Sequence, residues 1–174
     1  MGDWSAVYLH DTLDSSATVA ATGFAAFCLT MAAGRFGGDR LVARFGPATV
    51  LRASSAIAAA GLAGTLAVGT PTAGIVGCGV VGLGISNAIP ILFSAAGRVT
   101  DVEPGPALAT VATTGYFGFL AGPPLIGLAA EAVGLRVALG IVSTLCALVA
   151  GGAGLVRKPG TRGLESDTDG RVPA

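Results

Sequence analysis

Four stretches of this chain, residues 15–34, 53–97, 104–130 and 137–156, contain no Asp, Glu, Lys, Arg or His. Each is long enough to cross a bilayer, because about 20 helical residues at ~1.5 Å rise span a hydrocarbon core of ~30 Å. The second stretch can hold two crossings, broken at "VGTPTAG", where Gly69, Pro71 and Gly74 supply turn chemistry with little polarity. Composition agrees: 52% of the residues are hydrophobic, 11% are charged and the mean hydropathy is +0.76, outside the range of soluble globular domains. The pattern predicts an all-α integral membrane protein with transmembrane helices near 17–36, 47–68, 73–97, 106–129 and 134–156. A segment at 1–16 precedes them, and a polar tail at 157–174 without apolar periodicity should be disordered. Strands are excluded by the lack of period-two alternation, since backbone in lipid must satisfy itself within a helix or a closed barrel. The lipid bilayer is therefore the first partner expected, and no basic stripe suits nucleic acid.

The charges are segregated along the chain, so the 10 basic residues specify an orientation although the 10 acidic ones cancel them. Arg35, Arg40, Arg44 and Arg52 flank the first link, Arg98 the third, and Arg157, Lys158, Arg162 and Arg171 lie in the tail. Five crossings put all of these on one side and leave Arg136 on the other. The basic side should be the cytoplasm, which makes the carboxy terminus cytoplasmic and the plasma (inner) membrane the expected location. The first 16 residues, with Asp3, Asp11 and Asp14, then lie outside without an export signal or a helix to carry them across. The expectation is a further helix upstream of Met1.

An internal repeat leads to the same expectation. "TVAATGFAAF" (18–27) matches "TVATTGYFGF" (110–119) at Thr18/Thr110, Val19/Val111, Ala20/Ala112, Thr22/Thr114, Gly23/Gly115 and Phe27/Phe119. Continued without gaps, the offset pairs Asp39 with Glu131 and Arg44 with Arg136. The repeated helices are the first and fourth of the five, so they run in opposite directions, as in the 3+3 inverted repeats of secondary transporters. The first helix of the leading triplet is then expected upstream of Met1.

The charge is densest in "GRFGGDRLVARFG", residues 34–46. A glycine, an Asp-Arg pair and further basic residues between two helices resemble the loop signature of the major facilitator superfamily, whose carriers have twelve helices. "DWSAVYL" looks like the outer end of the seventh helix in a bacterial subgroup related to sugar permeases, and "GYFGFLAGPPLIGLAAEAVGLRVAL" looks like an eleventh helix entering a twelfth. The resemblance runs from Asp3 to about Val156 and implies the carboxy-terminal half of such a carrier, from the end of helix seven to helix twelve. It implies that Gly34, Arg35, Asp39, Arg40 and Arg44 form a conformational gate on the cytoplasmic side, with Asp39 paired to an arginine. The alternative is a positive-inside anchor with a loose ion pair. Pro47, Ala48 and Thr49 stand where many members keep more basic residues.

A possible substrate path comprises Asn87 with Pro90, Thr113, Thr114, Tyr116 and Trp4. Asn87 is a lone amide within a span and Pro90 frees a backbone carbonyl beside it; the amide could equally bond a neighbouring helix. The threonines could instead bond their own helix. Trp4 could be an interfacial anchor. Gly118 and Gly122 form a small-xxx-small helix-packing pair, and Pro123 and Pro124 mark a kink. His10 is the sole histidine, and Cys28, Cys78 and Cys146 lack ligand spacing, so neither a metal site, a cofactor nor an enzyme is expected. No acid lies within a span to couple an ion; Asp3 is the nearest. The expected function is transmembrane transport of an unidentified small solute by alternating access, with a missing or separate amino-terminal half as partner. The competing expectation is a membrane scaffold or truncated remnant that only packs with other helices.

Overall fold

Prolines and glycines set the ends of the helices into which the charge-free windows fold. In a computed structural model, which describes residues 2–98 and 103–155, the chain is helical apart from short links. Helix α1 is Gly2–Val7, followed by a π-helical turn at Tyr8–Thr12. The five spans are α2 (Ala17–Phe45), α3 (Pro47–Val68), a broken pair α4 (Pro71–Ile85) and α5 (Ala88–Ala96), α6 (Pro104–Val133) and α7 (Leu135–Gly152). Ser16 caps α2 by accepting from the Val19 amide at 3.4 Å, and Thr70 caps α4 by accepting from the Ala73 amide at 3.3 Å. Pro47, Pro71 and Pro104 occupy the first turns of α3, α4 and α6, where a missing N–H is harmless. The chain is a multi-pass membrane bundle. The tail expected to be disordered, 157–174, lies outside the described residues.

The first boundary differs from its expectation. The helix expected to end near residue 36 continues to Phe45, so the charged stretch is the last part of α2 and the link to α3 is Gly46 alone. A helix of 29 residues is ~44 Å long, about 14 Å more than the hydrocarbon, so its charged last turns can project past the lipid without the backbone leaving helical geometry. Composition marks where lipid ends, and α2 outlasts it. At the second break, Gly69 ends α3 in the left-handed region (φ 64°), and Gly74, expected as part of the turn, is instead buried inside α4.

The third span breaks at Ser86 and Asn87. Pro90 has no N–H to give the Ser86 carbonyl four residues earlier, and its ring crowds that carbonyl. The helix restarts at Ala88, and the Ile91 amide bonds the Asn87 carbonyl at 3.1 Å.

Helix α3 is the centre of the bundle. Leu62 and Leu66 meet Tyr8 of the π turn, Phe27 of α2, Val81 of α4 and Leu139 of α7 in the main apolar cluster. Val50 and Leu51 meet Ile91 of α5 and Ala153 in a second cluster, at the other end of α3. The Ser143 hydroxyl donates to the Ala59 carbonyl at 2.8 Å and ties α7 to α3 midway.

Two arginines fix the relative direction of α3 and α7. Arg52, in the first turns of α3, lies against Gly154 beyond the end of α7, whereas Arg136, at the start of α7, donates to the Leu66 carbonyl in the last turn of α3. The two helices are antiparallel, and Gly46 and Gly134 are at opposite ends of the bundle. Arg136 also places a cation at the negative end of the α3 dipole. Replacing Arg136 with methionine should cost about 1 kcal/mol, less than the ~1.5–3 kcal/mol of a charged hydrogen bond because the side chain is exposed. Denaturant titration in detergent reads that loss.

The repeat is visible in the backbone as well. Gly46 (φ 81°, ψ 155°) and Gly134 (φ 85°, ψ 149°) are single-residue links with matching conformations. The Gly46 amide donates to the Val42 carbonyl at 2.9 Å and the Gly134 amide to the Ala130 carbonyl at 2.8 Å. Val50 then bonds Gly46 at 3.2 Å and Ala138 bonds Gly134 at 3.1 Å. The gapless alignment does not survive here, because the offset of 92 residues at Thr18 and Thr110 has become 88 at Gly46 and Gly134. Between the repeated segment and the glycine link α6 has four residues fewer than α2, about one helical turn, which nearly preserves the helix face. Glu131 therefore does not correspond to Asp39, nor Arg136 to Arg44.

Candidate functional site

The charged end of α2 has two faces with different work. Gly34 and Gly38, four residues apart, lie on the buried side, where the break between α4 and α5 is pressed against them. A Cβ at Gly34 would come within 2.8 Å of the Ser86 Cβ, and one at Gly38 within 2.8 Å of the Asn87 Cγ. Gly37 faces open space with nothing within 4 Å of an added Cβ. Small residues let two backbones approach, and the approach brings a polar side chain into reach of a main-chain acceptor.

That side chain is Asn87, only 6% exposed. Its Nδ2 donates to the Gly34 carbonyl at 3.3 Å and to the Ser86 Oγ at 3.0 Å, and the Ser86 hydroxyl donates onward to the Leu83 carbonyl at 2.7 Å. A short polar chain thus runs from the break in the third span to α2, inside an apolar bundle where an unpaired amide would be costly. Of the two readings of Asn87, the structure displays the bond to a neighbouring helix. Ser86 was not singled out by sequence, although counting four residues back from Pro90 identifies the carbonyl that loses its partner there.

Arg35, Asp39, Arg40 and Arg44 are all exposed on the opposite side of α2. Asp39 makes no ion pair among the described residues, so the expected pairing with Arg35, Arg40 or Arg44 is absent from this structure. Helical spacing explains why. Arg35 precedes Asp39 by four residues, the weaker order for such a pair, and neither side chain is buried. Arg44 stacks on its neighbour Phe45, with its guanidinium 5.4 Å from the ring centroid.

The other singled-out residues are dispersed. Pro90 is exposed on α5. Thr113, Thr114 and Tyr116 are exposed on α6, Tyr116 at 71%. Trp4 packs on the main cluster, close to Gly127 of α6, with its Nε1 buried and without a hydrogen-bond partner among the described residues. Gly118 and Gly122 have no atom within reach of an added Cβ, and α6 runs unbroken through Pro123 and Pro124. Thr22, Thr30, Thr65, Thr110 and Thr144 donate to carbonyls three or four residues earlier in their own helices. The site that emerges is therefore one helix end and one helix break, with the exposed α6 standing apart.

Residues 4–173 match the profile of the Major Facilitator Superfamily. The chain belongs to that superfamily. It is 40% identical over 158 residues to an uncharacterised MFS-type transporter of Yersinia pestis, covering 91% of this chain and 41% of that one. The membrane protein MosC of Rhizobium meliloti is 37% identical over 150 residues, with coverages of 86% and 37%. An uncharacterised transporter of Sinorhizobium fredii is 38% identical over 148 residues, with coverages of 85% and 39%. The chain thus spans about two fifths of the length of these curated relatives. No solved structure matches it. In the structure the Gly34 to Arg44 stretch is the last part of α2, bonded by Asn87 at the Gly34 carbonyl, in a bundle with five apolar spans.

Proposed function

We propose that this chain is the carboxy-terminal half of a twelve-helix secondary carrier and moves a small solute by rocking against an amino-terminal half. The observation that carries the reading is the surface of α6. This helix has no buried residue, yet Gly115, Gly118 and Gly122 stand on it with nothing among the described residues within 4 Å of an added Cβ. Small residues on a membrane helix mark helix contacts, whereas lipid is matched by larger apolar side chains. The internal repeat suggests what belongs there. At the offset of the glycine links, Gly34 corresponds to Gly122; Gly34 seats the break of the third span, and a helix continuing from α1 would fill the equivalent place on Gly122. The length of the relatives is consistent with such a partner.

In this reading Thr113, Thr114, Tyr116 and Trp4 border the path between the halves, with Asn87 and Pro90 at the break adjoining it. The exposed Asp39 finds its partner across the half interface, and the Gly34 to Arg44 cluster closes the cytoplasmic side. Positive-inside bias puts Arg35, Arg40, Arg44, Arg52 and Arg98 in the cytoplasm of a plasma-membrane protein and Arg136 outside. The sugar-permease-related subgroup rests on the "DWSAVYL" resemblance alone.

The test is reconstitution in proteoliposomes with a panel of radiolabelled sugars, using the chain alone and the chain co-reconstituted with the amino-terminal portion of the Yersinia pestis relative. Saturable counterflow is expected only from the pair. Saturable counterflow by the chain alone contradicts the half-carrier reading, and none from the pair favours a remnant.

A further inference from the structure

Three arginines surround the second apolar cluster, at the end of the bundle where the described chain stops. Val42 of α2, Val50 and Leu51 of α3, Ile91 of α5 and Ala153 after α7 pack together there. Arg44 follows Val42 by two residues, Arg52 follows Leu51 directly, and Arg98 lies beyond α5 on the way out of the same end. All three are exposed, and none makes an ion pair among the described residues. The acids described at this end are Asp39 and Glu103, both exposed as well. Cations gathered on one surface attract any carboxylate within a Debye length, about 10 Å at 0.1 M salt.

The sequence supplies such carboxylates next in line. The Arg52 Nη2 lies 3.2 Å from where a Cβ on Gly154 would be, so the chain leaves the bundle beside this guanidinium. Onward, from 156 to 170, it reads "VRKPGTRGLESDTDG". The acids of this stretch are Glu165, Asp167 and Asp169, and alternate positions bring all three to one face of an extended chain. Pro159 and Gly160 form a turn dipeptide that can send the chain back toward the bundle. Reach is ample. The stretch from Leu155 to Glu165 spans up to ~33 Å when extended, whereas Arg44 and Arg52 are joined by a shorter, partly helical segment and lie closer together than this.

We propose that the acidic run at 165–169 docks on the surface formed by Arg44, Arg52 and Arg98, as a tethered counter-ion for this end of the bundle. Tethering favours this occupant over a free one, because a segment held beside Arg52 is present at an effective concentration near millimolar. Single exposed ion pairs contribute little, so the docking rests on several acting together and weakens as salt rises. Every group involved belongs to this chain, and the docking does not depend on an amino-terminal half.

Carbodiimide coupling of the whole chain in nanodiscs containing phosphatidylglycerol tests the docking, because the reagent joins a carboxylate to an amine only at contact and leaves guanidinium groups alone. Arg52→Lys and Arg44→Lys, made singly, keep the charge and supply a reactive amine, and mass spectrometry reads amides to 165–169. Both variants should couple, while Arg136→Lys, at the opposite end of the bundle, should not. Coupling from Arg52→Lys should fall several-fold in about 1 M salt, where the Debye length is ~3 Å, and again when Arg44→Gln and Arg98→Gln are added. Coupling unmoved by salt and by those two substitutions overturns the proposal, since the tether alone would then keep the segment near. So does an absence of coupling at 44 and 52, the result expected if lipid phosphates hold these arginines. Amides found only between isotope-labelled and unlabelled chains also overturn it and assign the surface to a second copy.

Discussion

Gly38→Leu should destabilise the bundle by about 3 to 5 kcal/mol, combining overpacking with the loss of a buried hydrogen bond. Even a Cβ at Gly38 meets the Asn87 side chain, and the larger residue must drive Asn87 away from the Gly34 carbonyl. The neighbouring Gly37→Ala should do the opposite. Nothing lies within 4 Å of its added Cβ, so removal of a helix glycine should stabilise by about 0.5 to 1 kcal/mol. A double-mutant cycle separates the causes: in an Asn87→Ala background, Gly38→Ala should cost at least about 1 kcal/mol less than in the parent. Denaturant titration in mixed micelles gives each value. Equal costs for alanine at Gly37 and Gly38 would contradict the seating of Asn87.

The second large effect concerns the two glycine links. At φ 81° and 85° with ψ near 150°, Gly46 and Gly134 occupy a region essentially reserved for glycine. Alanine at either should cost about 2 to 3 kcal/mol. Because the two conformations match, the two losses should agree within about 0.5 kcal/mol, and they should add in the double variant, since the sites are at opposite ends of the bundle. A loss at only one of them would mean that the links are not copies of each other. Thermal unfolding of detergent-solubilised protein, read on the same scale as the Gly38 series, provides the comparison.

How far the sequence disclosed these features depends on what each one rests on. The spans were legible because lipid imposes a single requirement, freedom from charge over about 20 residues, which 15–34 and 104–130 meet outright. The end of α2 was not, because charge shows where lipid stops and says nothing of where a helix stops; Gly46 with Pro47 was the true terminator. The repeat was legible at 18–27 and 110–119, where residue identities persist. The turn missing between 119 and Gly134 was invisible because no identities bridge it, and only the matching dihedrals at Gly46 and Gly134 reveal the shift.

At the candidate site, Asn87 and Pro90 were conspicuous as a lone amide beside a helix breaker. The partner of Asn87 was not, since the Gly34 carbonyl belongs to a residue 53 positions away and no sequence pattern marks a main-chain acceptor. Asp39 shows the reverse error. Three arginines nearby in sequence suggested a pair, yet a helix surface holds them exposed and apart. The burial of Tyr8 emerged only from packing, because it depends on five separate elements converging.

The central claim is that the glycine links at 46 and 134 lie on opposite sides of the membrane, as an inverted repeat requires. Cysteines introduced singly at Arg44 and Arg136 in a cysteine-free background, probed with a membrane-impermeant maleimide in right-side-out and inside-out vesicles, test it most directly. Labelling at 136 from outside only and at 44 from inside only is the result expected. Labelling of both from the same side would contradict the account.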